Sequence, residues 1–488
     1  MSRELGITVR KQENFSEWFS EVCFKAGLVD QRYNVQGFVV HRPWGMRIIK
    51  RIYEMLEREL EKHAHEPVLF PVVIPEENFE KEKEHVEGFK PEVFWITEAG
   101  DDKLEKRLAL RPTSETAFYQ MYSLWIRSHR DLPLKLYQSV SVYRYESQTR
   151  PFLRGREFLW IEAHDAFKTH EEALEQIKQD MEVCREVIYR KLGLPFIFFR
   201  RPPWDKFAGA NDTYAADTLM PDGKVNQISS THDLGQRFAK AFDVRFLNER
   251  GEKCYVWQTC FGLGVWRIVA ALIGVHGDDK GLVLPFDIAP VQVIIIPIYS
   301  SEQEKNEVIE RCRALKETLS RSNIRCRIDL RDETPGWKFN DWELKGVPLR
   351  AEIGAREVRE DAVTIARRDT GERIKVKTNE VVSCVEKLSG EILEHLKRRA
   401  ENFFSQRIVR ARSREEVIES LNNGKVVIMD FCGRECCANE MKEVTHGGKV
   451  RGSIVECCGV SVENENAQGK CAWCGMESKQ VVYVAKAY

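Results

Sequence analysis

The chain has 488 residues, 43% of them hydrophobic and 31% charged, which is enough apolar content for several folded domains. Its 75 basic and 76 acidic residues leave a net charge of −1, which excludes nucleic-acid binding through bulk basicity alone. The longest apolar run, from Val291 to Ile298, is too short to span a membrane, and residues 1–6 lack the apolar stretch of a secretory signal. We therefore expect a cytoplasmic protein.

Residues 1–288 form the first predicted domain. Apolar residues at helical spacing run from Gly45 to Leu60, and a strand-like segment, Val68–Ile74, follows them. A second helical pattern runs from Glu171 to Leu192 and is stopped by Gly193. Helices mixed with strand pairs predict an α+β fold for this domain.

A hairpin within the first domain combines ionisable and aromatic side chains. Its strands, 136–146 and 156–167, flank a polar loop, and alternate residues of a strand share a face. The face is either a solvated surface with a few ion pairs or a pocket for a charged, partly planar ligand. Two aromatic rings among the charges favour the pocket, since arginine binds phosphate bidentately and a ring can stack on a base. The residues of this face are Arg144, Glu146, Arg156, Phe158, Trp160, Glu162 and His164.

The remaining residues divide into two further predicted domains. Residues 289–403 alternate strands and helices, beginning with strand Val291–Ile298, and this rhythm predicts a small α/β domain with a parallel or mixed sheet. Residues 404–488 contain half of the chain's 14 cysteines and end in a predicted strand, Gln480–Ala485. We expect this third domain to be a small α+β unit.

Two cysteine pairs, Cys432 with Cys437 and Cys471 with Cys474, have the spacing of a tetrahedral thiolate site. Paired thiols in a cytoplasmic protein indicate a metal more often than a disulfide. Because four cysteines leave no open coordination position, we expect a structural Zn²⁺. The sequence leaves open whether Cys436 replaces Cys437.

The hairpin segments Arg144–Glu146 and Arg156–Phe158 together resemble motif 2 of class II aminoacyl-tRNA synthetases. The helix Gly45–Leu60 with Phe70-Pro71 resembles motif 1 of that family, which forms the dimer interface, and Gly262–Arg267 resembles motif 3. The three motifs occur in the family's order, and phosphate-loop and dinucleotide-binding signatures are absent from the sequence. The resemblance implies an antiparallel-sheet catalytic domain and a homodimer.

The resemblance also implies ATP, with Mg²⁺, as a substrate. In the family, the motif 2 arginine holds the α-phosphate and the amino-acid carboxylate, the glutamate contacts the adenine amine, and the phenylalanine stacks on adenine. By this resemblance Arg144 and Arg267 are the catalytic residues, and Arg267 holds the γ-phosphate. The predicted ATP-binding residues are Arg144, Glu146, Arg154, Phe158, Gln227, Ser230 and Arg267.

Three stretches resemble prolyl-tRNA synthetases in particular: Asn14–Trp18, Pro151–Arg154 with Phe158–Trp160, and Gln227–Gly235. The loop Arg111–Glu115 resembles the one that class II enzymes place over the substrate amino group. Proline has a secondary ammonium with two N–H donors, which two acceptors would satisfy, and its ring needs a compact apolar slot. The predicted proline-binding residues are Thr113, Glu115, Arg144, Trp160, Glu162, His164, Phe207 and His232.

This family resemblance implies an ATP-dependent ligase with L-proline and tRNA(Pro) as partners. Proline and ATP would give prolyl-adenylate and pyrophosphate, and the proline would then pass to the 3′ end of the tRNA. Alanine or cysteine could be misactivated, since both fit a slot built for proline. The short interval between motifs 2 and 3 leaves no space for the editing insertion of bacterial enzymes, so we expect no editing in cis.

The segment Gly336–Arg356 resembles the anticodon-binding domain shared by prolyl, threonyl, histidyl and glycyl enzymes. Basic residues suit phosphates and carboxylates accept base amines, so the predicted anticodon-binding residues are Glu343, Lys345, Arg350 and Glu352. The cysteine-rich third domain resembles the zinc-bearing C-terminal domain of archaeal and eukaryotic-type prolyl enzymes.

Three alternatives stay open at this point. A class II enzyme for threonine or serine is one, although threonine enzymes use a catalytic zinc and the cysteine cluster lies outside the catalytic domain. A tRNA-binding regulator without catalysis is another, but it would be expected to lose Arg144 or Arg267. The third is a nucleic-acid-binding zinc ribbon in the third domain with a function of its own.

Overall fold

The computed structural model describes residues 6–85, 93–463 and 465–488. The expectation about a secretory signal concerns residues that lie largely outside these ranges. Of the helices in the described part of the chain, none combines the length and apolar character needed to cross a bilayer.

The first domain contains helices α1–α7 and strands β1–β14. The helices are α1 Phe15–Lys25, α2 Pro43–Lys62, α3 Glu76–His85, α4 Glu115–Trp125, α5 His170–Cys184, α6 Arg237–Ala241 and α7 Val265–Ala271. The strands are β1 Val29–Asp30, β2 Val40–His41, β3 Glu66–Pro67, β4 Val73–Pro75, β5 Trp95–Ala99, β6 Asp102–Leu110, β7 Leu134–Tyr143, β8 Glu157–Phe167, β9 Ile197–Arg200, β10 Asp212–Leu219, β11 Lys224–Gly235, β12 Arg245–Leu247, β13 Lys253–Tyr255 and β14 Trp257–Leu263.

The second and third domains follow with helices α8–α13 and strands β15–β24. The second contains β15 Val293–Ile298, α8 Glu302–Arg321, β16 Cys326–Ile328, α9 Pro335–Leu344, β17 Leu349–Gly354, α10 Ala355–Arg359, β18 Ala362–Arg367, β19 Arg373–Lys377 and α11 Val381–Ser405. The third contains β20 Ile408–Arg410, α12 Arg414–Asn422, β21 Val426–Phe431, α13 Glu435–Val444, β22 Gly448–Cys457, β23 Val460–Ser461 and β24 Gln480–Ala487.

Helix α2 confirms the helical spacing predicted from Gly45 to Leu60. It begins at Pro43, which suits the first helical turn, and buries Ile49, Ile52 and Leu56 in the main core. The predicted strand Val68–Ile74 is wrong in its extent, because only β3 and β4 are paired there. Between them the chain passes from the central sheet to a separate small sheet, so one continuous strand cannot span the segment.

The second predicted helix also differs from its expected form. Thr169 and Glu172 form a capping box that starts α5, and the α-helix ends at Cys184. The chain then continues as a π-helical segment, Arg185–Lys191. The apolar spacing therefore predicted a helical segment correctly but did not distinguish its two hydrogen-bonding patterns.

One long sheet organises the first and third domains. Within the described residues it has the order β20-β21-β24-β22-β9-β10-β11-β14-β8-β7-β3, with β23 added beside β22. Its central pairs, from β7–β8 to β9–β22, are antiparallel. Strands of the third domain therefore extend the sheet of the first, and the predicted α+β class is confirmed.

The second domain has its own mixed sheet, in the order β16-β15-β17-β18-β19. Strand β15 is parallel to β16 and β17, whereas β17–β18 and β18–β19 are antiparallel. Val308 and Leu315 of α8 and Leu388 of α11 pack into the apolar core of this domain. The expected α/β arrangement of this segment is present.

A buried histidine at the end of the π-helical segment Leu272–His276 gives a first testable prediction. Burial lowers the pKa of His276 to about 3, although its Nε2 donates a hydrogen bond of 2.8 Å to the Leu192 carbonyl. Because the unfolded chain binds the proton first, the contribution of His276 to stability is complete above pH 6.5 and decreases as the pH falls towards 3. At pH 5 the loss is about 2 kcal/mol. We expect the thermal midpoint of His276→Gln to fall less between pH 7 and 5 than that of the wild type.

The matched control is His446→Asn, at an exposed position where φ is 52° and asparagine is well tolerated. This variant should show the wild-type pH dependence. Equal slopes for His276→Gln and the wild type would contradict the prediction.

Candidate active site

A cavity of about 630 Å³ opens over β8, β11 and β14 of the central sheet. Every residue predicted to bind ATP or proline lines it, although the residues come from several separate segments. The structure therefore brings together Thr113, Glu115, Arg144, Glu146, Arg154, Phe158, Trp160, Glu162, His164, Phe207, Gln227, Ser230, His232 and Arg267.

The hairpin β7–β8 forms one wall of the cavity and presents Arg144. The Arg144 Nε donates a hydrogen bond of 3.0 Å to the Pro112 carbonyl, and its guanidinium carbon lies 5.3 Å from the Phe158 ring and 5.7 Å from the Trp160 ring. Burial lowers the pKa of Arg144, but an arginine keeps its charge at neutral pH. Its terminal nitrogens have no hydrogen-bond partner among the described residues, so the guanidinium can bind an anion.

The loop end of the hairpin holds Glu146 and Arg154 together. Arg154 Nη1 lies 2.8 Å from Glu146 Oε2. The prediction that Arg156 shares the cavity face is wrong. Arg156 precedes β8, so the strand alternation does not apply to it; its Nε donates to the Glu146 carbonyl and its guanidinium lies over Tyr145 instead.

Glu162 anchors the loop before α4. Its carboxylate accepts hydrogen bonds from the Ser114 backbone N–H at 3.0 Å and from Gln138 Nε2 at 2.8 Å. Although burial opposes its ionisation, hydrogen bonds from His164, Ser114 and Gln138 lower the pKa of Glu162. Glu162 therefore fixes the position of Thr113 and the N-terminus of α4 beside the cavity.

Glu115 lies at the first turn of α4 and accepts a hydrogen bond from the Thr113 hydroxyl. Burial raises the pKa of Glu115, while the positive charge of His164 acts in the opposite direction. A carboxylate in this setting gains from a cationic partner, because a positive charge offsets its desolvation. An ammonium group in the cavity would supply that charge.

His232 projects from β11 towards Phe207, whose ring centroid is 4.8 Å away. Its ring nitrogens lie 2.9 Å from Thr213 Oγ1 and 3.0 Å from Ser230 Oγ. Burial, with the charges of Arg201 and His164, lowers the pKa of His232 to about 3. The imidazole is therefore neutral and forms a fixed, largely apolar wall.

The turn from β14 into α7 presents Arg267 opposite the hairpin. Gly264 caps the helix, and Arg267 Nη1 donates a hydrogen bond of 3.2 Å to the Gln227 carbonyl. A Cβ atom at Gly262 would lie 3.2 Å from the Trp160 ring, so a glycine permits that ring to close the cavity floor. Burial and the charges of Arg154 and Arg144 lower the pKa of Arg267 to about 10, which is the expected effect of cations gathered around an anion site.

Sequence reasoning missed several cavity residues. They come from β9–β10, from β22 and from the end of the chain, far from the recognised motifs. Alternation of basic residues on β22 was a signal that could have been used. The missed residues include Arg201, Asp205, Lys206, Lys449, Arg451 and Tyr488.

The predicted anticodon residues lie in the second domain at α9 and β17. Arg350 contacts Glu343 at 3.0 Å and Glu352 at 2.9 Å, and its guanidinium lies 3.9 Å from the Phe339 ring centroid. Lys345 does not join this cluster, because it pairs with an aspartate of its own helix. Glu352 is buried and also pairs with Arg373, so the charges of this cluster largely offset one another.

The four predicted metal ligands lie together in the third domain. The ligand atoms of Cys432, Cys437, Cys471 and Cys474 all lie within 4.8 Å of one another, and the Cys437 and Cys471 sulfurs are 4.0 Å apart. Tetrahedral zinc with bonds of about 2.3 Å needs sulfurs about 3.8 Å apart, so the donor set fits Zn²⁺. Cys436 is exposed and does not belong to this cluster.

Comparison with known proteins covers the whole chain. The model described as tRNA synthetase class II core domain (G, H, P, S and T) matches residues 94–276, an anticodon binding domain matches residues 292–388, and "Prolyl-tRNA synthetase, C-terminal" matches residues 414–488. The proline–tRNA ligase of Thermofilum pendens is 66% identical over 99% of this chain and 100% of its own length. The proline–tRNA ligase of Pyrococcus abyssi is 43% identical over 98% of this chain and 99% of its own length.

Solved structures of prolyl-tRNA synthetases are similar to this chain over nearly its whole length. The Giardia lamblia prolyl-tRNA synthetase in complex with prolyl-adenylate has a TM-score of 0.93, with 34% identity over 99% of this chain and 100% of that one. The Cryptosporidium parvum prolyl-tRNA synthetase complexed with halofuginone and AMPPNP has a TM-score of 0.90. It is also 34% identical, over 99% of this chain and 97% of that one. The predicted class II fold and the ATP-dependent ligase activity for proline and tRNA are confirmed. The alternatives of an enzyme for threonine or serine and of a non-catalytic regulator are not supported by these relatives. The chain belongs to the prolyl-tRNA synthetase family.

Proposed function

We propose that the cavity holds ATP and proline together, with Arg144 between them. The observation that carries this proposal is the position of Arg144 in the cavity: its guanidinium lies 5.3 Å from the Phe158 ring and its Nε binds the carbonyl of Pro112, directly before the Thr113–Glu115 loop. Its guanidinium can then bind the α-phosphate of ATP and the carboxylate of proline at once.

On the nucleotide side, Phe158 stacks on adenine and Glu146 accepts from its amine. Arg154, Gln227 and Ser230 contact ATP further along the cavity, and Arg267 binds the γ-phosphate. ATP is used with Mg²⁺, which neutralises further phosphate charge. The mutually repelling Arg144, Arg154 and Arg267 support this placement, because an anion removes their repulsion.

On the amino-acid side, Glu115 and the Thr113 hydroxyl accept the two N–H donors of the proline ammonium. Glu162 and His164 hold this loop, and the ring of proline lies against Trp160, Phe207 and His232. The neutral state of His232 supports this role, since a charged imidazole would repel the ammonium.

Chemistry at this site follows from orientation and charge. The ionised carboxylate of proline attacks the α-phosphorus in line, the bond to the pyrophosphate oxygen breaks, and prolyl-adenylate forms. Arg144 and Arg267 stabilise the charge that develops on the phosphates, so no general base is needed. The terminal ribose hydroxyl of tRNA(Pro) then attacks the acyl carbon, the bond from that carbon to the phosphate oxygen breaks, and AMP leaves while the hydroxyl proton is released.

Amino-acid-dependent ATP–pyrophosphate exchange across all amino acids tests the proposal. We expect the strongest exchange with proline and weaker exchange with alanine and cysteine, because an apolar slot discriminates by only about 10–200-fold per methylene. Phe207→Ala should reduce the preference for proline over alanine. Unchanged discrimination in that variant would contradict the placement of the ring.

We also propose a role for each of the three domains. Residues 1–288 act as the catalytic domain, residues 289–403 bind the anticodon through Glu343, Lys345, Arg350 and Glu352, and residues 404–488 bind a structural Zn²⁺ through Cys432, Cys437, Cys471 and Cys474. The absence of an editing insertion implies slow hydrolysis of alanyl-tRNA(Pro), which an assay on that ester would check.

We also propose a cytoplasmic homodimer. Leu69, Leu124 and Trp125 are exposed near the edge strand β3 of the central sheet, and Leu69 is 78% exposed. Exposed apolar side chains at a sheet edge indicate an interface. Sedimentation of the chain as a monomer at micromolar concentration would contradict the dimer.

A further inference from the structure

Strand β22 of the third domain brings Arg451 into the wall of the active-site cavity. The register between β22 and β24 shifts between Val450 and Gly452, so Arg451 lies in a β-bulge. Bulges redirect side chains near functional sites. At Gly452, φ is 119° and a Cβ atom would lie 2.0 Å from the Arg200 carbonyl oxygen, so only glycine allows β22 to approach β9 this closely.

Arg451 binds the carboxylate of Asp217 on β10 with two hydrogen bonds, of 2.7 Å from Nε and 3.0 Å from Nη2. Asp217 also accepts from Arg201 Nη2 at 2.9 Å, and Arg201 Nη1 donates to the Arg451 carbonyl at 3.0 Å. All three side chains are buried. The third domain and the catalytic sheet are therefore joined by a charged cluster at the cavity wall.

Gln227 is hydrogen-bonded to this cluster through Arg201. Arg201 Nη2 donates to Gln227 Oε1 at 2.9 Å, and Asp217 and Gln227 are direct neighbours on β10 and β11 because the register shifts between Ala216 and Asp217. An arginine can only donate, so the oxygen of the Gln227 amide must face Arg201. Its Nε2 has no hydrogen-bond partner among the described residues and is left to donate into the cavity.

The charges of the cluster are unequal. Two guanidinium groups share one carboxylate, and although burial opposes ionisation, Arg201 and Arg451 lower the pKa of Asp217. The carboxylate of Asp205, which also lines the cavity, offsets part of the charge of both arginines. Lys449, two residues from Arg451 on the same strand, lines the same cavity.

We propose that Arg451 is a positioning residue for ATP, acting through Asp217 and Arg201 to fix the side-chain amide of Gln227. The inference rests on the proposed binding of ATP at Gln227. It gives the third domain a part in nucleotide recognition in addition to its metal site.

The test is Arg451→Met in ATP–pyrophosphate exchange. The substitution leaves Arg201 and Asp217 as a balanced pair, so the fold should persist, which thermal unfolding will verify. We expect KM for ATP to rise about tenfold, the effect of losing a hydrogen bond to a charged group, while KM for proline stays within about twofold. KM for ATP of the Arg451→Lys variant should lie between those of the wild type and Arg451→Met, because lysine replaces one of the two hydrogen bonds to Asp217.

The control is Arg410→Met. Arg410 is an exposed residue of β20 that pairs with Glu465, so this substitution should leave KM for ATP and KM for proline unchanged.

A double-mutant cycle separates this inference from the proposed ATP site. We expect Gln227→Ala to raise KM for ATP and Arg451→Met to add little further effect in that background. If Gln227→Ala leaves KM for ATP unchanged, the placement of ATP at Gln227 fails and Arg451 loses its proposed role with it. If Gln227→Ala raises KM but Arg451→Met does not, or the two effects multiply, Arg451 acts independently and the positioning role alone is overturned. A loss of stability or kcat without a change in KM for ATP would also overturn it.

Discussion

Replacing Arg144 by alanine is expected to reduce kcat/KM for proline activation by roughly a hundred- to a thousandfold. We place the guanidinium between the nucleotide and amino-acid ends of the cavity; among the described residues its side-chain contacts are a hydrogen bond to the Pro112 carbonyl and two aromatic faces. Its loss removes charge from the α-phosphate as negative charge develops there. Arg154 and Arg267 remain beside the proposed nucleotide, but in the proposed arrangement neither binds the carboxylate of proline.

Pyrophosphate exchange with saturating and limiting proline measures the effect. Arg144→Lys should recover only part of the activity, because lysine retains the charge but cannot bind two anions bidentately. Arg245→Ala is the matched control, since Arg245 is exposed and pairs with Asp243 away from the cavity. Near-normal exchange by a folded Arg144→Ala protein would contradict the central role of this residue.

Substitution of Cys437 by serine is expected to abolish zinc binding and to destabilise the third domain, on the order of 4–5 kcal/mol. Cys437 is buried within 4.8 Å of the other three thiols, so its removal opens the coordination shell. The neighbouring Cys436 is exposed and provides a control one residue away. Cys436→Ser should keep one zinc per chain and the wild-type unfolding midpoint.

Metal analysis and thermal unfolding of the purified proteins measure both effects without reference to enzyme activity. Zinc loss in Cys436→Ser with retention in Cys437→Ser would reverse the assignment of the ligand. A wild-type protein that contains no zinc would remove the metal site altogether.

Local patterns predicted the cavity residues well where a single segment carried them. On β8, Phe158, Trp160, Glu162 and His164 share a face because strand side chains alternate, and all four line the cavity. The rule failed at Arg156, which lies just before the strand begins. It failed again at Val68–Ile74, where an apolar run crosses between two sheets, since apolar spacing does not indicate whether a partner strand is present.

The sequence by itself determined which side chains share one face of the hairpin, and its family motifs predicted the two ligand classes. Alternation along the strands of the hairpin predicts a pocket for a charged, partly planar ligand, because alternation is a local property of a strand. The resemblance of the motifs to class II synthetases is what named ATP and an amino acid as its ligands. Spacing could not decide between Cys436 and Cys437. Only the tertiary structure separated them, by turning one sulfur towards Cys471 and the other to solvent.

Tertiary structure alone also added the third domain to the cavity. Arg451 is 234 residues from Asp217 along the chain, and their contact depends on the pairing of β22 with β9 and on a bulge that redirects one side chain. No local periodicity encodes such a pairing, because it is the packing free energy of whole strands that selects their neighbours. Motifs therefore predicted which groups bind ATP and proline, whereas the fold decided which distant residues lie beside those groups.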